Sequence, residues 1–145
     1  MTTHKTESRN LLHPAFVGAG ATLLIAAFAT DSMYARTLLF QWNNLSIWLL
    51  TSGLIIAAIA ALALLFDIAR QHLGALAWPR FAGFAVAILL SILNAFVHSR
   101  DAYTAVMPQG IALSAVVAAI LLILGSRGWS LRPAQKPILS TEISR

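Results

Sequence analysis

Three polar side chains recur at helical spacing near the end of one apolar segment: Ser91, Asn94 and His98. Steps of three and four residues place them on one helix face, which Asp101 continues if the helix extends. Polar groups at membrane depth are costly and therefore mark candidate sites. This stripe could relay protons, ligate a cofactor or line a small-molecule pocket. Alternatively, Ser91 and Asn94 make hydrogen bonds between helices, while His98 and its charged neighbours are solvated interface groups.

Two groups of polar residues, one at each end of the apolar segments, are candidate sites. The outer candidate site consists of Asp31, Asn94, His98, Arg100, Asp101 and Tyr103. The inner candidate site consists of His13, Asp67 and Arg70. Asp67 and Arg70 are three residues apart, so we expect an interfacial ion pair between them. We expect His13 to lie in water at a helix entrance rather than to bind a metal.

No catalytic or metal-binding pattern is present in the sequence. The chain has no cysteine, which excludes disulfides, thiolate metal sites and cysteine nucleophiles. We predict no cofactor, with haem b or quinone near His98, Asn94 or Tyr103 as the alternative. Two histidines in a helical bundle can ligate haem, but His13 and His98 are predicted at opposite membrane faces. A hydrocarbon core of about 30 Å would separate them, so they cannot share one iron.

The composition indicates that lipid is the solvent for most of this chain. Hydrophobic residues make up 59% of the 145 residues and charged residues 10%, against roughly 45–50% and about 25% in soluble domains. A soluble fold of this size could not bury so much apolar surface. The net charge of +5 arises at the flanks of apolar segments, so we expect a bilayer and no nucleic acid as partner.

Four apolar segments predict an all-α, four-helix transmembrane bundle. The spans cover about residues 14–30, 45–66, 79–97 and 108–124, each close to the roughly 20 residues that cross a bilayer as a helix. They form one domain over residues 11–128, between a polar tail (1–10) and a flexible tail (129–145). A short interfacial helix is predicted within residues 34–42. The first span is expected to be retained, because the Thr30-Asp31-Ser32 exit lacks a small-x-small cleavage site.

The basic residues predict the orientation of the bundle. One face carries Lys5, Arg9, Arg70, Arg80, Arg127, Arg132, Lys136 and Arg145, and the other carries only Arg36 and Arg100. Positive loops stay in the cytoplasm. We therefore expect a multi-pass protein of the bacterial inner membrane with both termini cytoplasmic.

Small residues at four-residue spacing predict close helix packing, which bundles in lipid require. Gly18, Gly53 and Gly83 each begin such a stripe in a different span. We expect these three glycines to lie at helix–helix contacts.

Several short motifs resemble a known family. The segment Leu12-His13-Pro14-Ala15-Phe16-Val17-Gly18 resembles the opening motif of the bacterial membrane-protein family catalogued as domain of unknown function 2231. The further matches are Asp31, Trp48-Leu49-Leu50 with Gly53, Asp67, Asn94, His98-Ser99-Arg100-Asp101 and Tyr103-Thr104-Ala105-Val106. The resemblance covers nearly all of residues 11–128. It implies a four-span inner-membrane fold and no established activity.

The sequence favours a non-enzymatic subunit or anchor for a membrane-protein partner, or a homo-oligomer, because no catalytic constellation accompanies the packing faces. One alternative is a membrane redox protein that binds haem or quinone. Another is a small transporter or channel, which would require an oligomer because one chain has too few intramembrane polar groups for a pore.

Overall fold

A computed structural model describes residues 13–70, 78–100 and 106–129, together with Leu131. These residues form four α-helices: α1 (His13–Thr37), α2 (Phe40–Ala69), α3 (Trp78–His98) and α4 (Gln109–Gly125). No strand occurs in the described segments, so the all-α prediction is confirmed. Residues 1–12, 71–77, 101–105, 130 and 132–145 lie outside the described residues.

Three helices, α1 to α3, are long and apolar enough to cross a membrane. The fourth is apolar but shorter, with 17 residues, and extends about 26 Å at 1.5 Å per residue. A helix therefore lies at each of the four predicted spans, but α1 and α2 are longer than predicted. Both extend past their apolar cores at the end where they are joined.

The connection between α1 and α2 is a tight turn and not an interfacial helix. α1 continues to Thr37, and α2 begins at Phe40 after two intervening residues. Leu38 has a φ of +55°, in the left-handed region, and its amide donates to Tyr34 O at 2.8 Å. The predicted interfacial helix over residues 34–42 is wrong. Residues 34–37 belong to α1, where Tyr34 is buried in the bundle, and residues 40–42 begin α2.

Glycines set the close approach of α1 and α2. A Cβ added to Gly53 would lie 2.8 Å from Leu24 Cδ2, and one added to Gly20 would lie 3.2 Å from Gly53 O. Gly83 contacts the Leu124 side chain, and Gly18 contacts Trp129. Gly53 and Gly83 therefore lie at helix–helix contacts, as predicted, whereas Gly18 packs against Trp129, which follows α4 and is not helical.

The chain after α4 folds back onto the bundle. The Trp129 ring lies 6.2 Å from the Phe84 ring, measured between centroids, and also covers Gly18 and Gly125. Leu131 is buried in the main hydrophobic core. The bundle therefore includes two residues that the predicted boundary at residue 128 assigned to a flexible tail.

The pair α2 and α3 is the most loosely packed pair of neighbouring helices. α1 packs closely on α2, α3 packs on α4, and α4 packs on α1. Between α2 and α3 lies an apolar cavity of about 340 Å³, which we call the lateral groove. Its walls include Ala57, Ala61 and Leu64 of α2, and Phe81, Phe84 and Ile88 of α3.

Candidate functional site

Asp31 is a fully buried carboxylate that is hydrogen-bonded to three other helices. Its side chain belongs to α1 and accepts hydrogen bonds from the hydroxyls of Ser46 in α2 and Ser114 in α4. His98 Nε2, at the end of α3, lies 3.0 Å from Asp31 Oδ1. One carboxylate thus contacts a side chain from each of the other three helices.

Asn94 belongs to the same network and lies one turn before His98 on α3. Its Nδ2 donates to Ser114 Oγ at 2.7 Å, and its backbone oxygen lies 3.1 Å from His98 Nδ1. Asn94 and Ser114 are both buried. We call these five residues the Asp31 cluster: Asp31, Ser46, Asn94, His98 and Ser114.

The geometry around His98 defines how charge is arranged in the Asp31 cluster. Both ring nitrogens face oxygen atoms, one from the Asn94 carbonyl and one from the Asp31 carboxyl group. A carbonyl oxygen can only accept, so Nδ1 carries a hydrogen. The bond from Nε2 to Asp31 then holds one proton between the two residues. Asp31 and His98 are therefore neutral as a pair wherever that proton lies, which limits the cost of burying both.

A second acid–histidine pair lies at the opposite end of the bundle. His13 Nδ1 is 2.9 Å from Asp67 Oδ2, which joins the first turn of α1 to the last turn of α2. His13 is completely buried and Asp67 is nearly so. His13 precedes Asp31 by 18 residues of one helix, so the two pairs lie about 27 Å apart along α1.

The His13–Asp67 pair corrects two sequence predictions. His13 was predicted to face water at a helix entrance, but none of its surface is exposed. Asp67 was predicted to pair with Arg70, but its carboxylate bonds to His13. The Arg70 guanidinium instead lies over the Phe66 ring, 4.1 Å from the centroid. The i, i+3 pattern missed the pairing because residue 13 is distant in sequence.

The outer candidate residues divide into buried and exposed sets. Asp31, Asn94 and His98 come together, so the prediction that His98 is a solvated interface group is wrong. Asn94 bonds between helices as predicted, whereas Ser91 donates to Ala87 O of its own helix at 2.8 Å. Arg100 is exposed and donates to Gln109 Oε1 at 2.8 Å. Asp101 and Tyr103 lie outside the described residues.

Sequence reasoning missed two members of the Asp31 cluster. Ser46 is a single hydroxyl near the start of α2, and Ser114 is the one hydroxyl residue of α4. Both are buried and both donate to Asp31. The sequence signal for such a residue is an isolated serine in an apolar segment. This signal does not identify the group that accepts the hydrogen bond of the serine.

Several buried polar atoms have no protein partner: His13 Nε2, Asn43 Oδ1 and Asn94 Oδ1. Within the described part of the chain, no group of three or more acidic, histidine or cysteine side chains could hold a metal ion. Both ring nitrogens of His98 are engaged, whereas His13 keeps one unoccupied. The two described helical histidines thus lie at opposite ends, as predicted, and cannot ligate one haem together.

Comparison with known proteins places the chain in a family. No curated protein and no solved structure matches it. One family model, described as a predicted membrane protein (DUF2231), matches residues 9–135 and thus spans all four helices. With this match and the apolar helices described above, the chain belongs to the DUF2231 family of predicted membrane proteins.

Proposed function

We propose that this protein is a non-enzymatic subunit or anchor that holds a membrane partner in the bacterial inner membrane. The observation that carries the proposal is the Asp31 cluster. Its carboxylate joins all four helices, and its histidine has both ring nitrogens engaged. The polar groups of the Asp31 cluster therefore stabilise the contacts among the four helices. A bundle whose buried polar groups serve its own helix contacts binds a partner through its exposed surface.

The basic residues support an orientation with both termini in the cytoplasm. In the sequence, eight of the ten Lys and Arg residues precede α1, follow α2 or α4, or lie in the first turn of α3, and positive loops remain cytoplasmic. In this orientation the Asp31 cluster faces the outer side of the membrane. Fusing a cytoplasmic-only reporter to each terminus should give activity at both ends.

A transport function has less support from the described residues. Most buried side chains in the core between the two acid–histidine pairs are apolar, such as Leu24, Leu50 and Leu121. Buried Ser91 also lies there, but its hydroxyl donates to the backbone of its own helix. Among the described residues, an ion or a polar solute would find few polar groups to replace its water along this path. One copy of the bundle therefore favours a structural role over a conducting one.

Site-specific photocrosslinking in cells tests the partner proposal. A photoreactive amino acid at Trp48, Ile55 or Leu62 would sample one exposed face of α2, and one at Leu89 or Leu93 would sample α3. We expect a discrete crosslinked product from one face, either with another membrane protein or with a second copy. Buried Leu50 is the control position and should give none. Crosslinks to lipid alone from every exposed position would refute the proposal.

A further inference from the structure

The imidazole ring of His98 faces an oxygen atom with each of its two nitrogens. Nδ1 lies 3.1 Å from the Asn94 backbone oxygen, and Nε2 lies 3.0 Å from Asp31 Oδ1. Neither a carbonyl nor an ionised carboxylate can donate, and a neutral imidazole carries only one hydrogen. Two hydrogens must therefore lie between the ring and the two oxygens. The Asp31 cluster thus holds one proton more than a neutral histidine beside an ionised aspartate.

The other acid–histidine pair does not have this requirement. His13 Nδ1 lies 2.9 Å from Asp67 Oδ2, and His13 Nε2 has no protein partner. One hydrogen is enough for this single contact, whether it belongs to the ring or to the carboxyl group. The need for an extra proton is therefore a property of the Asp31 cluster.

Loss of the extra proton removes one hydrogen bond and leaves the pair charged. A neutral His98 ring keeps its hydrogen on either Nε2 or Nδ1, and the other nitrogen then faces an oxygen with no hydrogen between them. Asp31 and His98 are both buried, and without the proton they carry a net negative charge. A buried charge with no counter-charge is unfavourable. The contact between the two residues is therefore weaker without the proton.

The bond between His98 and Asp31 joins two helices that do not pack side by side. α1 and α3 lie diagonally across the bundle, since each packs on both α2 and α4. The bond crosses this diagonal. Because α3 packs only loosely on α2, its attachment to the bundle depends chiefly on α4 and on the Asp31 cluster. A change in the protonation of the pair therefore acts on a loosely held helix.

The pair lies next to water at one end of the bundle. His98 is the last residue of α3, and Ser99 and Arg100, which follow it, are exposed. A proton that joins or leaves the pair at this end does not cross the apolar core. The protonation of the pair therefore follows the pH at one face of the membrane.

The groups around the pair keep one charge state from neutral pH to about pH 9, below the ionisation of a phenol near pH 10. Among the described residues at this end, α2 and α4 present the uncharged side chains of Ser46 and Ser114. On α1, Tyr34 is buried three residues after Asp31. The described cations of this end, Arg36 and Arg100, are exposed and stay charged.

We propose that the proton shared by Asp31 and His98 is a removable ligand, whose binding fastens α3 across the bundle and whose loss at alkaline pH weakens that attachment. The bundle thus contains a pH-sensitive clamp at the end that holds the Asp31 cluster. The inference does not depend on the partner proposed above, because the clamp consists of contacts within one chain.

The folded protein should lose stability as the pH rises above neutral. At mildly acidic pH the unfolded chain also carries one proton on these two side chains, because the imidazole is protonated and the carboxylate is not. Near neutral pH the unfolded imidazole loses its proton, whereas the folded pair keeps it between Nε2 and Oδ1. Unfolding then releases one proton. Each further pH unit favours unfolding about tenfold, until the folded pair also releases its proton.

Unfolding of the full chain in mixed detergent micelles, between about pH 6 and pH 9, tests the clamp. The variant Asp31→Asn/His98→Gln keeps side chains of similar shape but has no titratable group in the cluster. We expect the equilibrium constant for unfolding of the wild-type protein to rise up to about tenfold more per pH unit than that of this variant. Equal pH dependence in the two proteins would overturn the proposal.

The matched control makes the same exchange at the other pair. His13→Gln/Asp67→Asn retains the Asp31 cluster, so we expect its unfolding to remain pH-dependent. If this variant were insensitive to pH while Asp31→Asn/His98→Gln kept the response of the wild-type protein, the proton would belong to the other pair and the proposal would be wrong.

Nitrogen NMR of the wild-type protein, with isotope-labelled histidine in nanodiscs, observes the proton directly and does not require a double variant to fold. The His98 signals are those that disappear in His98→Gln. We expect the His98 ring nitrogens to show one titration step at alkaline pH, above that of an imidazole in water. A step at the pH of free histidine, or no step up to about pH 10, would show that the pair does not hold a removable proton.

Discussion

A buried carboxylate is stable in a bundle only when the surrounding groups replace its hydration. Asp31 achieves this with two serine hydroxyls and one imidazole, each from a different helix. The sequence could predict the Asn94 and His98 face of α3 because helical spacing is local. It could not predict Ser46 and Ser114, because these contacts join residues that are 15 and 83 positions from Asp31.

Removing one member of the acid–histidine pair should destabilise the protein more than removing both. Asp31→Ala leaves His98 buried without its partner, and we expect a loss of about 3–5 kcal/mol in the free energy of unfolding, as for other buried ion pairs. His98→Ala should cost a similar amount. In the double variant the uncompensated group is gone, so its loss should be well below the sum of the two single losses.

Unfolding in mixed detergent micelles measures these three variants against the wild-type protein. Ser99→Ala is the control, because Ser99 is exposed and its hydroxyl bonds only to the Phe96 carbonyl of its own helix. We expect little change there. Additive losses in the Asp31 and His98 variants would contradict a coupled pair.

At the scale of helices, local composition predicted which segments are helical but not where they end. Apolar runs mark only the part of a helix that meets lipid, so the extra turns of α1 and α2 near Thr37 and Phe40 were missed. The spacing of small residues predicted helix contacts better than composition predicted helix ends. Where two helix backbones lie a short distance apart, the residue that faces the neighbouring helix must be a glycine. Trp129 shows the opposite case, since its packing onto Gly18 depends on a contact far away in sequence.

The two glycine contacts should differ in their tolerance of a methyl group. In Gly53→Ala, the new Cβ would meet both Leu24 and the Gly20 carbonyl oxygen, which is backbone and cannot easily move. In Gly83→Ala, the three atoms nearest the new Cβ all belong to the flexible Leu124 side chain, with Cδ1 the closest at 3.0 Å. Overpacking of a tight contact costs about 1–3 kcal/mol. We expect Gly53→Ala to reach this range and Gly83→Ala to fall below it in the same unfolding assay.

At the scale of the whole molecule, the bundle has two chemically distinct ends. The Asp31 cluster joins four helices at one end, whereas the His13–Asp67 pair joins only α1 and α2 at the other. The lateral groove between α2 and α3 extends toward the second end. Composition alone predicted a four-helix membrane protein. The pairing of His13 with Asp67 could be identified only from the structure. The two residues are 54 positions apart, and Arg70 is a cation much nearer to Asp67 in the sequence.

Cysteine labelling in spheroplasts of a bacterial host tests the central claim that four helices cross the membrane with their two ends on opposite sides. The chain has no cysteine, so single substitutions at exposed Gln41, Ala69, Ser99 and Ser126 give one label site each. A membrane-impermeant maleimide should react with Gln41→Cys and Ser99→Cys in intact spheroplasts, and with Ala69→Cys and Ser126→Cys only after permeabilisation. Labelling of Ser99→Cys and Ser126→Cys from the same side would show that α4 does not cross, and would contradict the account.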